Sequence, residues 1–176
     1  MPDLKASIAT DRYKRVEAIP LKIPFTHGGP SVSWAGSDWQ ALEIVLVRLQ
    51  TDSGLVGWGE AFSYNCRRAV VAMIEDSAAN VLADKLVSER AQIMHELQVG
   101  MHLWGRYGIS MFAISGIDIA LWDLTAKAAD QSLGQMLGGN KKILPAFVKS
   151  FHLPSKKLSE WHVPIWYSFP VQHVFQ

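Results

Sequence analysis

Chemistry needs polar or reactive side chains at spacings that bring them together, and this chain offers few. Asp118 and Asp123 stand five residues apart in an apolar run. Five residues turn a helix by about 140°, so the two carboxylates cannot chelate one ion and read as capping, hydrogen-bonding or ion-pairing groups. His95 and His102 are seven apart with no further ligand close by, short of a metal set. His152, His162 and His173 are too widely spaced for a compact motif. Gly54, Gly57 and Gly59 (GLVGWG) hint at a phosphate loop, but the spacing is not G-x-G-x-x-G and no helix follows directly. A hairpin strand explains them better. Ser, His and Asp all occur without a G-x-S-x-G elbow. Cys66 is the single cysteine, which leaves no internal disulfide and no zinc-type spacing. Glu60 reads as a surface carboxylate, and Arg67-Arg68 and Lys141-Lys142 as solvated basic pairs.

Composition narrows the classes further. Hydrophobic residues make up 49% and charged residues 19%, as in an ordinary globular protein. A formal net charge of +1 gives no reason to expect nucleic acid or an anionic membrane as partner. The N-terminus (MPDLKASIATDRYKR) has no apolar core of signal-peptide length, and no uninterrupted apolar run reaches the ~18 residues of a membrane span. The expectation is a soluble, cytoplasmic protein.

The elements that must position any site are legible from periodicity. Residues 1–11 read as a loose lead. Arg15 to Pro24 alternates apolar and polar residues, the period of a half-buried strand, and Pro20 and Pro24 suit an edge. Thr26 to Asp38 (THGGPSVSWAGSD) reads as a mobile loop. Leu42–Leu49 and Leu55–Ala61 flank Thr51-Asp52-Ser53-Gly54, a hairpin with turn chemistry. Phe62 to Arg68 is a second loop. Ala69–Leu82 and Glu89–Val99 carry helical spacing, the latter with Ser88 as N-cap. Gly100 to Gly108 is a connector.

The run from Ile109 to Gly139 is the stretch the rest is built around. Apolar on almost every side, its helix should be buried all round. Gly116 inside it marks close approach by a neighbouring backbone. Asp123 and Lys127 stand four apart with the acid first, the favourable order for an exposed pair. Ser132 caps a short second helix that Gly138-Gly139 stops. Strands first and helices second give the α+β class, a three-stranded antiparallel meander followed by a helical bundle. Lys142 to Val148 is one more candidate strand. Phe151–Gln176, rich in aromatics and broken by Pro154, Pro164 and Pro170, holds neither period.

Three segments carry a family resemblance: RVEAIPLKIPF (15–25), LEIVLVRLQTDSGLVGWGEA (42–61) and AISGIDIALWDLTAKAADQSLGQMLGG (113–139). Over residues 12 to 150 the chain resembles the N-terminal capping domain of the enolase superfamily, in its mandelate racemase and muconate lactonizing enzyme branch. The resemblance implies a flexible lead at 1–11, a capping domain at 12–140, a candidate first barrel strand at 141–150, and a tail at 151–176 unrelated to the family. It implies an enzyme in which Mg²⁺ holds a substrate carboxylate while a barrel base removes the α-proton, with racemisation or loss of a β-hydroxyl following. A (β/α)8 barrel needs about 200 residues or more, far more than follow Gly139. The family's lysine-x-lysine base, its barrel carboxylate ligands and its His–Asp pair have no positions here. The expectation is therefore a cap without its catalytic barrel, with no catalytic residue and no Mg²⁺ ligand of its own.

In such enzymes two cap loops close over the barrel mouth and choose the substrate; here they correspond to Thr26–Asp38 and Phe62–Arg68. By that resemblance His27 would hydrogen-bond a hydroxyl of a hydroxy-acid or acid sugar, while Trp34, Phe62 and Tyr64 would form an apolar wall with one polar tip. The bland alternative is that all four are exposed loop residues. Two other readings stand beside the cap: a non-catalytic binding or oligomerisation module, with a homo-oligomer left open, and a truncated product without settled function.

Overall fold

The computed structural model describes residues 10–26, 33–34, 37–38 and 40–139, and the chain divides into two compact units, Met1–Ile23 with Ala41–Asn140 and Pro24–Gln40 with Lys141–Gln176. The larger unit is built on three strands, β1 (Tyr13–Pro24), β4 (Ala41–Thr51) and β5 (Val56–Phe62), in the sheet order β1-β4-β5. All three run antiparallel, so chain order and sheet order agree. Pro20 and Pro24 lie on β1, an edge strand, where a missing N–H costs no ladder bond. The smaller unit contributes a two-stranded ladder within the segment read as a loop: β2 (Ser33–Trp34) pairs with β3 (Ser37–Asp38), Ser33 opposite Asp38 and Trp34 opposite Ser37.

The β4–β5 hairpin turns through Thr51–Leu55, where Thr51 N–H donates to the Leu55 carbonyl and Gly54 takes φ +91°. Alternation then sorts the strands. Ala41, Val45, Val47, Leu49 and Thr51 of β4 are buried, while Leu42 and Trp58 look outward at 43% and 40% exposed.

Helices follow: α1 (Arg67–Ala72) runs through a π-helical stretch, Met73–Ala78, into α2 (Ala79–Leu82). α3 (Arg90–Gly100) follows a 3₁₀ turn at Val87–Glu89. Its N-cap is Glu89 rather than the expected Ser88; Leu86 N–H donates to Glu89 Oε2 at 2.6 Å, so a carboxylate satisfies the entering backbone. α4 (Ile109–Ala128) is the central helix, and α5 (Leu133–Met136) is capped by Ser132, whose Oγ accepts from Gln135 N–H at 3.3 Å. Gly138 at φ +81° ends it.

α4 lies across the hairpin because three glycines clear the way. A β-carbon at Gly59 would land on the Gly116 carbonyl oxygen and stand 2.7 Å from Ala120 N; one at Gly57 would stand 2.6 Å from Leu124 Cβ. From the helix side, a β-carbon at Gly116 would stand 2.7 Å from Ala61 Cβ. Around this crossing Val45, Val47, Leu49, Ile117, Leu121 and Leu124 are wholly buried. Each such side chain contributes about 1.5–3 kcal/mol. α4 is long and apolar enough to cross a membrane, a test that a buried core helix also passes. It is not buried all round, as its composition led us to expect: Ser115 and Ile119 face outward, Ile119 at 42% exposed.

The free edge of β5 is closed by the same helix. Trp58 N–H donates to Asp123 Oδ2 at 2.8 Å, and Lys127 Nζ donates to Val56 O at 3.1 Å and to Asp123 Oδ2 at 2.6 Å. The Asp123–Lys127 pair thus occupies edge groups that would otherwise be open to another strand. At the hairpin end, Asp11 is 9% exposed rather than part of a loose lead. It accepts from Arg12 N–H and from Ser53 N–H and Oγ, and Val87 N–H donates to its carbonyl.

Candidate functional site

The segment after β5 is a tight turn built by a few polar contacts. Cys66 N–H donates to the Ser63 carbonyl at 2.9 Å, closing Ser63–Cys66, with Asn65 left-handed at φ 58°. Asparagine is among the residues that tolerate this conformation best. Val70 N–H then donates to the Cys66 carbonyl at 3.1 Å, starting α1.

Glu43 holds this turn. It stands in the inner row of β4 just before Ile44, the residue paired with Phe62 at the end of the β4–β5 ladder. Its carbonyl accepts from Ser63 Oγ at 3.2 Å, and its Oε2 accepts from Asn65 N–H at 3.2 Å. Arg67 Nε lies 3.2 Å from the same Oε2, an ion pair whose angle makes no hydrogen bond, and Lys22 Nζ lies 3.7 Å from Oε1. The Glu43 side chain is 12% exposed. Its charge reaches the neighbouring thiol: burial pushes the Cys66 pKa up, and Glu43 pushes it the same way.

The four residues expected to contact substrate fall in different places. Phe62 is 57% exposed, its ring edge-on to Phe112 of α4 at 4.9 Å between centroids. Tyr64 sits in the turn with its hydroxyl buried and, among the described residues, without a hydrogen-bond partner. The polar tip expected of it therefore points inward rather than to solvent. Trp34 lies on β2 in the smaller unit, its backbone paired with Ser37. His27 lies outside the described residues. Phe62 thus ends β5 just before the turn that holds Tyr64, and Glu43, which braces that turn, and Phe112, which packs on the Phe62 ring, were missed. Glu43 left a signal: it is the one charged residue in the row Ala41, Glu43, Val45, Val47, Leu49.

Asp118, Asp123 and His102 are committed elsewhere. Asp118 pairs with Arg90 at 3.7 Å, and Arg90 stacks over Trp122 at 3.7 Å from the ring centroid. Asp123 serves Trp58 and Lys127, so the two aspartates have separate partners. His102 Nδ1 is 2.6 Å from the Val99 carbonyl. An open groove of about 570 Å³, lined by Ala69, Met73, Trp104 and Ile109 among others, carries Asp76 and the hydroxyl-bearing Ser77, Tyr107 and Ser110. This lining sets one carboxylate among hydroxyls, with no second carboxylate or imidazole beside it. Among the described residues no three His, Cys, Asp or Glu side chains gather into a metal-holding group. The donor set therefore does not fit Mg²⁺, and no chemical step is assigned to that ion on these residues.

Comparison with known proteins places this architecture. Residues 21–138 match the model of the mandelate racemase / muconate lactonizing enzyme N-terminal domain. An arabinonate dehydratase from Saccharolobus solfataricus is 34% identical over 120 residues, covering 66% of this chain and 31% of that protein. Among solved structures, a member of the enolase superfamily from Agrobacterium tumefaciens superposes with a TM-score of 0.72 at 25% identity, over 86% of this chain and 45% of the other. The L-talarate/galactarate dehydratase from Salmonella typhimurium LT2, liganded with Mg and L-lyxarohydroxamate, superposes at 0.66 and 26% identity, over 77% of this chain and 36% of the other. The chain thus spans about a third of the length of the first of these relatives and under half of each solved structure. A three-stranded antiparallel sheet followed by helices, with no closed barrel among the described residues, is the form of the enolase-type capping domain. The chain belongs to the mandelate racemase / muconate lactonizing enzyme family, and residues 21–138 are its N-terminal domain.

Proposed function

We propose that this domain is the substrate-selecting cap of an acid-sugar dehydratase. The observation that carries the reading is the exposed Phe62 ring, braced edge-on by Phe112 beside a turn that Glu43 fixes. The dehydratase relatives supply the substrate class. A sugar acid presents a carboxylate at one end and a chain of C–H and O–H groups behind it. A fixed aromatic ring offers the C–H side an apolar wall, and closing such a wall over the acid displaces water from the reaction centre. Excluding water strengthens the electrostatic interactions that hold the carboxylate. In this reading the α-proton is removed by groups outside the described residues, and the cap contributes shape, exclusion of water and choice of substrate. Cytoplasmic location belongs to the same proposal.

The test is an exchange. Residues 12–140 replace the corresponding segment of the arabinonate dehydratase, and KM is measured across a panel of aldonic and aldaric acids. The ranking of KM values is expected to change with the cap; an unchanged ranking defeats the proposal. The polypeptide 1–176, assayed alone with Mg²⁺ on the same panel, is expected to show no turnover, and measurable turnover would place the chemistry inside this chain.

A further inference from the structure

We propose that Glu43 is the positioning residue of the second lid loop: through contacts at Ser63, Asn65 and Arg67 it fixes the turn that carries Tyr64 and follows Phe62, and so sets where the exposed Phe62 ring meets a bound sugar acid. The substrate half of this statement rests on the cap reading above; the loop half does not.

The contacts define the role. Ser63, Asn65 and Arg67 alternate along the turn, and one residue touches all three: its carbonyl takes the Ser63 hydroxyl, and its Oε2 takes the Asn65 N–H and faces Arg67 Nε. These are the points at which the turn could depart from β4. The middle one holds a left-handed residue, at φ 58°, that has no regular ladder or helix to keep it there. A backbone N–H bonded to a carboxylate is stronger than one bonded to a neutral acceptor. The carboxylate itself is held on its other side by Lys22 at 3.7 Å, so cations from β1 and α1 share it. Glu43 sits on β4, the central strand, and so transfers the rigidity of the hairpin to the loop. Phe62 is the last residue before the loop, one step ahead of Ser63. A shift of the turn therefore moves both the Phe62 ring and Tyr64.

Cys66 is a built-in reporter, because it lies inside the turn and is the sole cysteine of the chain. The thiolate is the species that reacts with iodoacetamide, so its rate reports both access and local charge. In the full chain, alkylation of Cys66 is followed across the pH range for wild type, Glu43→Gln and Glu43→Ala, with amide exchange at Asn65 read in parallel. Glu43→Ala removes both charge and acceptor; it is expected to alkylate roughly tenfold faster near neutral pH, with its pH profile displaced downward and the Asn65 amide exchanging faster. Glu43→Gln keeps an acceptor oxygen and the side-chain shape. It is expected to restore most of the protection at the Asn65 amide while keeping the displaced thiol profile, a split that simple loosening of the fold does not produce. Should Glu43→Ala fail to fold, Glu43→Gln decides the matter by two readings together, the displaced thiol profile and an Asn65 amide that exchanges somewhat faster than in wild type because a neutral acceptor holds it less strongly. Folded variants with the wild-type profile and wild-type exchange at Asn65 would overturn the assignment. No substrate enters the measurement, so its failure is distinct from failure of the cap reading.

Discussion

The middle of the β4–β5 hairpin and its two ends are held by opposite means. In the middle, α4 rests on the strands because side chains are missing: Gly57, Gly59 and Gly116 leave room for backbone against backbone. At the ends, carboxylates are present where the sheet leaves polar backbone unpaired. Asp11 ties down the Thr51–Ser53 turn, and Glu43 ties down the Ser63–Arg67 turn. A contact made of absent atoms cannot adjust, whereas a carboxylate contact can be weakened in steps. The middle therefore sets the fold, and the ends set the loops.

The sharpest way to break that contrast is to fill the middle. Gly59→Ala places a β-carbon on the Gly116 carbonyl oxygen, and both partners are backbone that cannot rotate away. A cost of about 3 kcal/mol or more is expected, at the upper end for overpacked cores. In a domain of this size that lowers Tm by more than about 10 °C. Gly116→Ala should be milder. Its new methyl meets Ala61 Cβ at 2.7 Å and Val47 Cγ2 at 3.0 Å, and alanine returns about 1 kcal/mol of helix propensity. Thermal melts of the two variants should rank Gly59→Ala well below Gly116→Ala. Equal melting temperatures would mean that the crossing is looser than backbone contact.

A gentler perturbation loosens the helix from the strand edge without touching the crossing. Asp123→Ala removes the acceptor of Trp58 N–H and the partner of Lys127. A loss of about 1 kcal/mol is expected, the usual scale for one such interaction. Lys127→Ala should cost less in the Asp123→Ala background than alone, because the two share one interaction. Exchange of the Trp58 amide gives the local reading. If the Asp123→Ala chain protects that amide as well as wild type, the pair is surface ornament and α4 does not guard the edge.

These contrasts show what could and could not be read from one sequence. Gly116 announced itself, since a glycine inside a strongly apolar helix has few other reasons to be there. The hairpin, the Ser132 cap and the Gly138 stop were legible because each is decided within a few residues. Asp123 and Lys127 were legible as a pair, but the Trp58 amide they serve is 65 residues away and no local rule reaches it. Glu43 was hidden for another reason. LEIVLVRL is apolar at both parities, so the sequence does not say which row faces the helix. Once the structure assigns Val45, Val47 and Leu49 to the buried row, a carboxylate in that row is conspicuous. The residues expected to contact substrate came by resemblance, and among them only Phe62 and Tyr64 lie close in the described chain, at the end of β5 and in the turn that follows it.

The smallest expected effect tests the other end of the hairpin and has a sign that can be worked out. Burial pushes the Asp11 pKa up, but hydrogen bonds from the Ser53 and Thr51 side chains and from the backbone N–H groups of Ser53 and Arg12 more than offset it. The folded carboxyl therefore sits below the ordinary aspartate value. The unfolded chain then binds more protons through this group than the folded chain does, so stability rises with pH. The contribution is complete above the unfolded pKa, about 4, and drains away as pH falls through the lower folded value. Urea unfolding midpoints should accordingly drop on acidification through that window. Asp11→Asn cannot titrate, so its midpoint should be lower than wild type at neutral pH and should lose less on acidification, the two curves converging at the acid end. Parallel curves would remove Asp11 from the account and leave Glu43 as the one carboxylate that anchors a turn of this hairpin.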